Sequence, residues 1–339
     1  MKRATITGVR QAAVVDAPQP HAKADWALVR VDVAPLCTEF KGYLAGQRAD
    51  YLGHEAAGEV VEVAQPGQVQ VGDRVVVMPQ YPCGGCPTCL AGDYIHCEQG
   101  TDVTRFTGSP EGGATIAQYL LKPDWLLPRI PPQVSTEHAA MACCGMGPTF
   151  GAMQRLAVDA FDTVLITGLG PVGLGGVINA RCRGARVVGV EANAWRAARA
   201  LALGAEVVLT PQEGDLLPRL RALTDGLGVD KAIDCSGHPA AHRLCLEATR
   251  RLGGVAFVGE CSDDTPLRVS PDLIRKGLTV CGSWHYNRRD VPRLLGTIAA
   301  LPALLNQLIS HEFPLDSIGQ AWELQATGNC AKVLIRPWR

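Results

Sequence analysis

The chain has 339 residues, a formal net charge of −1 and thirteen cysteines. That length predicts about two domains with sizeable cores, and the near-neutral balance without a basic cluster excludes a nucleic-acid or other polyanion-binding role. The opening Met1–Gly8 has no apolar signal core, and the long uncharged run 163–180 is interrupted by five glycines and a proline. The expectation is a cytoplasmic protein with no membrane partner, its thiols kept reduced or bound to metal.

Residues 1–152 carry short strand-like runs broken by Gly and Pro. The runs at 27–33, 58–63 and 73–78 predict a mostly antiparallel β domain. Within it, Cys83-Gly84-Gly85-Cys86-Pro87-Thr88-Cys89 and then Cys97 form a lobe at 83–97. Four soft thiolates at this spacing suit a tetrahedral structural zinc, a closed site that holds a loop. A redox pair or chance clustering is the plainer alternative.

From 153 to 290 strand and helix patterns alternate. Strands are expected at 164–167, 186–190, 206–209, 231–234, 254–258 and 279–282, with Gly184, Gly204 and Gly253 as helix stops. Such an α/β succession makes a doubly wound parallel sheet. The first strand runs into Gly168-Leu169-Gly170-Pro171-Val172-Gly173, a turn that cradles a pyrophosphate at a helix N-terminus. The second strand ends in Glu191, placed to accept from the adenosine ribose hydroxyls and to repel a 2′-phosphate, which favours NAD over NADP. Arg196 suits the adenine or ribose edge, with a surface arginine as the alternative. Cys235-Ser236 and Val258-Gly259 follow later strands, at the ends where an open α/β sheet binds its ligand. Residues 291–339 read as helical and then as a closing strand.

A second set of candidate ligands is dispersed. Cys37 follows the strand-like run 27–33, His54 lies in Gly53-His54-Glu55, and Cys143 and Cys144 are adjacent. Singly each reads as a buried cysteine or a satisfied histidine. Two thiolates and an imidazole are also the donor set of a catalytic zinc, which keeps its fourth position for substrate.

Residues 29–37, Gly53-His54-Glu55-Ala56-Ala57-Gly58, Val71-Gly72-Asp73-Arg74-Val75, the four-cysteine lobe, the glycine turn and Ala331-Lys332-Val333 together resemble the zinc-containing medium-chain alcohol/polyol dehydrogenase family over essentially the whole length. The resemblance implies a GroES-like catalytic domain at 1–152, a Rossmann NAD-binding domain at 153–290, and a return to the catalytic domain at 291–339. It implies a catalytic zinc on Cys37, His54 and Cys144, with Cys143 in reserve and Glu55 beside the ion. Thr38 would pass the substrate proton outward, and Glu39 would stand where the family has an aspartate behind the histidine ligand. Cys37-Thr38-Glu39 is one residue shorter than the family pattern, and Ala64 replaces a common glycine. The family's relay histidine has no equivalent, Lys41 and Tyr43 being nearest. Ser283 and Trp284 fall in a loop near the nicotinamide, and Trp284, His285 and Tyr286 line the substrate pocket or pack a subunit contact.

The activity so implied moves hydride between NAD and a secondary alcohol or ketone, with zinc as the Lewis acid. A polar pocket around Glu39, Lys41, Trp284 and His285 would suit a polyol, sugar, cyclitol or amino alcohol. A hydrophobic primary or benzylic alcohol and L-threonine are the alternative substrates. A zinc-retaining double-bond reductase and a non-catalytic NAD/zinc redox sensor are the rivals from other classes. The family resemblance also implies a homodimer or homotetramer.

Overall fold

The computed structural model describes residues 1–339, the side chain of Glu213 excepted. Its strands are β1 (Lys2–Gly8), β2 (Gln11–Asp16), β3 (Trp26–Pro35), β4 (Ala56–Glu62), β5 (Arg74–Val77) and β6 (Tyr119–Pro123), then β7 (Thr163–Thr167), β8 (Arg186–Val190), β9 (Val207–Leu209), β10 (Val229–Asp234), β11 (Thr249–Phe257) and β12 (Thr279–Gly282), and finally β13 (Ile309–Pro314) and β14 (Lys332–Arg336). They divide between two compact units, Met1–Cys144 with Asn287–Arg339, and Gly145–Tyr286. The first unit closes at Cys144 rather than at residue 152, because helix Gly147–Arg155 packs against helix Pro171–Cys182 of the second.

In the first unit β3 is the hub. It pairs antiparallel with β4, β6 and β14, and the sheet runs β13-β14-β3-β4-β5 with β6 branching from β3. Both faces of β3 are covered: Val29 and Val31 share one buried cluster with Val60, Val75, Val77, Ile116 and Trp322, and Trp26 and Leu28 pack with Leu121 on the other side. A strand covered on both sides reads as a near-continuous apolar run, as residues 26–35 do except at Arg30 and Asp32, which are half-buried. The placement of the site follows from this sheet. Cys37 lies just past the end of β3 and His54-Glu55 just before β4. Helix Thr136–Ala140 packs on β3, β4 and β5, and the turn after it carries Cys143 and Cys144.

The second unit is a six-stranded parallel sheet in the order β12-β11-β10-β7-β8-β9. The chain starts in the middle at β7, winds one way to β9, and crosses to β10. The order therefore reverses between β7 and β10, the switch point where such sheets open a ligand crevice. Gly204 is the left-handed cap of helix Ala194–Leu203 (φ +110°), as expected. Gly253 is not a helix stop. Helix Pro239–Ala248 passes directly into β11 at Thr249, and Gly253 lies inside that strand, where a Cβ would strike Asp230 O at 2.7 Å.

Candidate active site

The first unit gathers Cys37, His54, Glu55 and Cys144 so that one donor atom of each lies within 4.8 Å of the others. His54 Nε2 is 3.3 Å from Cys144 Sγ. On the other side of the ring, His54 Nδ1 faces Glu39 Oε1 at 3.1 Å, while Glu39 Oε2 accepts the Cys37 N–H at 2.8 Å. Glu39 thus orients two of the donors at once. A carboxylate on Nδ1–H leaves Nε2 as the free donor and makes it more basic. Cys143 points elsewhere: it is buried, and its thiol donates to Val77 O at 3.3 Å. Of the adjacent pair, Cys144 faces the cluster.

Glu55 is fully buried. Its Oε1 accepts from Lys332 Nζ at 2.5 Å and its Oε2 from the Cys144 N–H at 3.1 Å. Lys332, also buried, donates to Leu36 O at 2.9 Å as well. Burial pushes the Glu55 carboxyl up to about 7 against the pull of Lys332. The Cys37 thiol is held well below its usual range, first by the hydrogen bond from Cys144 and then by Lys332, whereas Cys144 is driven well above it by donating that bond and by burial. For His54, burial opposes the charge but is outweighed by hydrogen bonds to Cys37 and Glu39, which raise it to about 11.

This donor set fits zinc. At a tetrahedral ion with ordinary bond lengths, neighbouring nitrogen and sulfur ligands stand about 3.6 Å apart, close to the His54–Cys144 separation. Both Glu55 oxygens are engaged elsewhere, so two sulfurs and one nitrogen remain as ligands and a fourth position stays open, as catalytic zinc requires. The lobe fits a closed site instead. Cys97 Sγ lies 3.6 Å from Cys83 Sγ and 3.8 Å from Cys86 Sγ, and Cys89 completes the group. A tetrahedral zinc sets sulfur–sulfur edges of about 3.8 Å.

In the second unit the glycine turn lies at the end of β7. Gly168 has φ +77°, and a Cβ there would press on Ser236 Cα at 2.7 Å; one on Gly173 would strike Gly168 O at 2.0 Å. A Cβ on Gly170 would meet only Arg196 Nη1, at 3.7 Å, so this face is clear for a diphosphate to approach. Pro171 and Val172 open helix Pro171–Cys182. Glu191 accepts the Leu169 N–H at 2.6 Å and the Asn193 N–H at 2.8 Å, which braces the turn. The Nε of Arg196 and the Oγ of Ser283 are buried without a hydrogen-bond partner. These orphaned groups fit a polar ligand on the crevice. The Val258 and Gly259 N–H groups donate to Asp234 O at 2.8 and 3.0 Å, and Ser236 Oγ donates to Asp234 Oδ1 at 2.6 Å.

Other expected residues fall elsewhere. Thr38 is exposed at the start of helix Glu39–Ala45, and its hydroxyl does not cap that helix. Lys41 is exposed, and Tyr43 is buried against Trp322 with its hydroxyl on Glu323. Trp284 is 44% exposed. His285 and Tyr286 are buried and stacked on each other at 4.6 Å, with Tyr286 edge-on to Phe150. Both Glu39 oxygens are engaged, by the His54 ring and the Cys37 N–H. Sequence reasoning quoted Lys332 only as part of a motif and passed over Asp234. A lysine set in the apolar closing strand was the available signal for the first.

Residues 23–132 match the alcohol dehydrogenase GroES-like domain and residues 171–300 the zinc-binding dehydrogenase domain. An uncharacterized zinc-type alcohol dehydrogenase-like protein, YphC of Escherichia coli, is 35% identical over 84% of this chain and 80% of its own. The sorbitol dehydrogenase of Bacillus subtilis is 30% identical over 100% of this chain and 98% of its own. Among solved structures, alcohol dehydrogenase TADH from Thermus sp. ATN1 superposes with a TM-score of 0.88 at 27% identity, covering 99% of each chain. With a three-donor cluster, a four-thiolate lobe and a glycine-turn sheet in one chain, the protein belongs to the zinc-containing medium-chain alcohol/polyol dehydrogenase family, whose members are zinc- and NAD-dependent oxidoreductases.

Proposed function

We propose that this dehydrogenase oxidises a polyol or related sugar alcohol at a secondary hydroxyl, with NAD as acceptor and Cys37, His54 and Cys144 as the catalytic ligands. The observation that carries the reading is the three-donor cluster with Glu39 behind it. The full-length match to a sorbitol dehydrogenase supports the substrate class. When bound, zinc supplies Lewis acidity that lowers the pKa of a hydroxyl, and NAD supplies the hydride acceptor.

The chain's own residues do the remaining work. Glu39 holds His54 as the Nδ1–H tautomer, so that Nε2 serves as ligand. Lys332 neutralises Glu55, which keeps that carboxylate from competing for the fourth position and lets its other oxygen anchor the Cys144 backbone. Two thiolates then balance the divalent charge, which keeps substrate and product exchangeable. Thr38, exposed and not committed to capping its helix, is the hydroxyl assigned to hand the substrate proton to solvent. Glu191 excludes a 2′-phosphate by charge. Thirteen free cysteines support a reducing, cytoplasmic location. The outer edge of β12, where Thr279 and Val280 are exposed, supports a homodimer or homotetramer.

The test is zinc content per chain beside NAD- and NADP-linked oxidation of sorbitol, other polyols, amino alcohols, simple alcohols and L-threonine. Two zinc ions with NAD-linked polyol turnover are expected. One zinc, lost on mutating Cys86 and indifferent to Cys37, would overturn the catalytic site. Preferential turnover of L-threonine or a benzylic alcohol would overturn the substrate class alone.

A further inference from the structure

At the switch point of the parallel sheet lies a polar group with no part in the chemistry above. Asp234, the last residue of β10, is fully buried. Its Oδ1 accepts the Thr167 hydroxyl at 2.8 Å, the Ser236 hydroxyl at 2.6 Å and the Ser236 N–H at 3.1 Å; its Oδ2 accepts the Gly237 N–H at 2.9 Å. On the open side of Oδ2, His242 Nε2 stands at 3.2 Å, a close contact whose angle falls short of a hydrogen bond. His242 is itself buried. Its Nδ1 lies 2.6 Å from Thr265 Oγ1, and its ring packs on Phe257 at 4.7 Å between centroids.

One carboxylate and one imidazole thereby join three chain segments. Thr167 immediately precedes Gly168, Ser236-Gly237 is the turn after β10, and Thr265 belongs to the loop after β11. These segments have no slack between their backbones. A Cβ on Gly168 would meet Ser236 Cα at 2.7 Å, and one on Gly259 would meet Gly237 N at 2.2 Å. A shift of the Ser236 turn therefore pushes directly on the glycine turn that the dinucleotide would contact. Holding such a surface in its bound shape removes an ordering penalty from binding.

We infer that Asp234 and His242, with Thr265 behind them, form a positioning pair that preforms the dinucleotide crevice, His242 acting through Asp234 without touching the cofactor. The inference rests on the NAD reading above. Without the imidazole, Asp234 loses the ring nitrogen that stands 3.2 Å from its Oδ2, and the loop after β11 loses its tie to β10 through Thr265. The Ser236 turn then samples other positions, and cofactor affinity falls more than the chemical step.

The test uses zinc-loaded enzyme carrying His242→Ala, His242→Gln or Thr265→Val, with NADH affinity read by nicotinamide fluorescence and KM for NAD and kcat measured beside it. His242→Ala should weaken NADH binding and raise KM for NAD by on the order of tenfold, as for loss of a buried polar partner, with a smaller fall in kcat and unchanged zinc content. His242→Gln, which can reach both neighbours, should recover most of the affinity, and Thr265→Val should shift it in the same direction by less. If His242→Ala does not fold, the ratio of NADH affinities of Thr265→Val and wild type decides: a ratio of one overturns the inference. A folded His242→Ala with wild-type NADH affinity, or one that loses kcat alone, also overturns it. Wild-type enzyme with no NADH affinity would instead overturn the cofactor reading beneath it.

Discussion

Replacing Lys332 with methionine keeps most of the side-chain volume and removes the charge. It leaves Glu55, wholly buried and 2.5 Å from the lost ammonium, without its counterion, and frees Leu36 O next to Cys37, the proposed ligand. Breaking one half of a buried pair destabilises by about 3–5 kcal/mol. For a unit of roughly 200 residues each kcal/mol moves Tm by about 2–4 °C, so the expected fall is ~6–20 °C. Protonation of Glu55 limits the damage. Its carboxyl already sits at about 7 rather than 4.5, and losing Lys332 raises it further. A carboxyl raised in the folded state contributes stability that is full below the unfolded pKa and is lost as pH rises through the folded one. Wild type loses the same contribution up to its own folded value of about 7, so the deficit of Lys332→Met should widen only as pH rises above about 7, where the wild-type carboxyl ionises and the variant's does not. Adding Glu55→Gln, which retains an acceptor for the Cys144 N–H, should recover most of the loss. The assay is a double-mutant cycle by urea unfolding at two pH values, with zinc loading matched. A Lys332→Met enzyme within about 1 kcal/mol of wild type at pH 8, or a double variant no better than the single, would refute the reasoning.

Cys144→Ala should lower zinc from about two to about one ion per chain, while Cys143→Ala keeps both and loses only packing; metal analysis after chelator challenge decides between the cysteines. Glu39→Asp is conservative on paper but withdraws the carboxylate from His54 Nδ1, and zinc should be released to a competing chelator at about 10–100-fold lower affinity. Lys122 is buried with its ammonium on Gln80 O and over the Tyr81 ring, and burial lowers it from 10.5 to about 7. Its depressed folded pKa makes stability rise with pH from about 7 to about 10.5. Lys122→Met should lack that rise, so the two unfolding curves approach each other as pH increases.

What could be read from sequence was what the chain keeps contiguous. The four-cysteine lobe and the glycine turn each fall within a few residues, so spacing alone specifies their chemistry. The dispersed ligands became legible only through family resemblance, because strand pairing, not sequence proximity, brings Cys37, His54 and Cys144 together. The choice between Cys143 and Cys144 needed the turn after helix Thr136–Ala140. The Cys144 N–H is fixed on Glu55 while the neighbouring thiol donates to Val77 O. Lys332 and Glu55 are 277 positions apart, and no local pattern marks them as partners. His285 and Tyr286 look available in sequence as adjacent rings after a strand, and in the structure they are buried and stacked on each other.

The segment after Cys37 is where this sequence departs from the pattern it resembles, and Glu39 there faces His54 Nδ1 and the Cys37 N–H. With one residue fewer than the pattern it resembles, helix Glu39–Ala45 begins two positions after Cys37, the proposed ligand. An aspartate at the first helical position would carry its oxygens about one methylene, roughly 1.5 Å, too far from the ring. Glutamate restores that reach. Its second oxygen, able to turn back in the first turn of a helix, takes the Cys37 N–H at 2.8 Å. A chain with the deletion and an aspartate would leave His54 Nδ1 without its carboxylate, and one with glutamate and the full-length segment would crowd the ring. Inserting a glycine after Cys37 together with Glu39→Asp should consequently hold zinc better than either change alone.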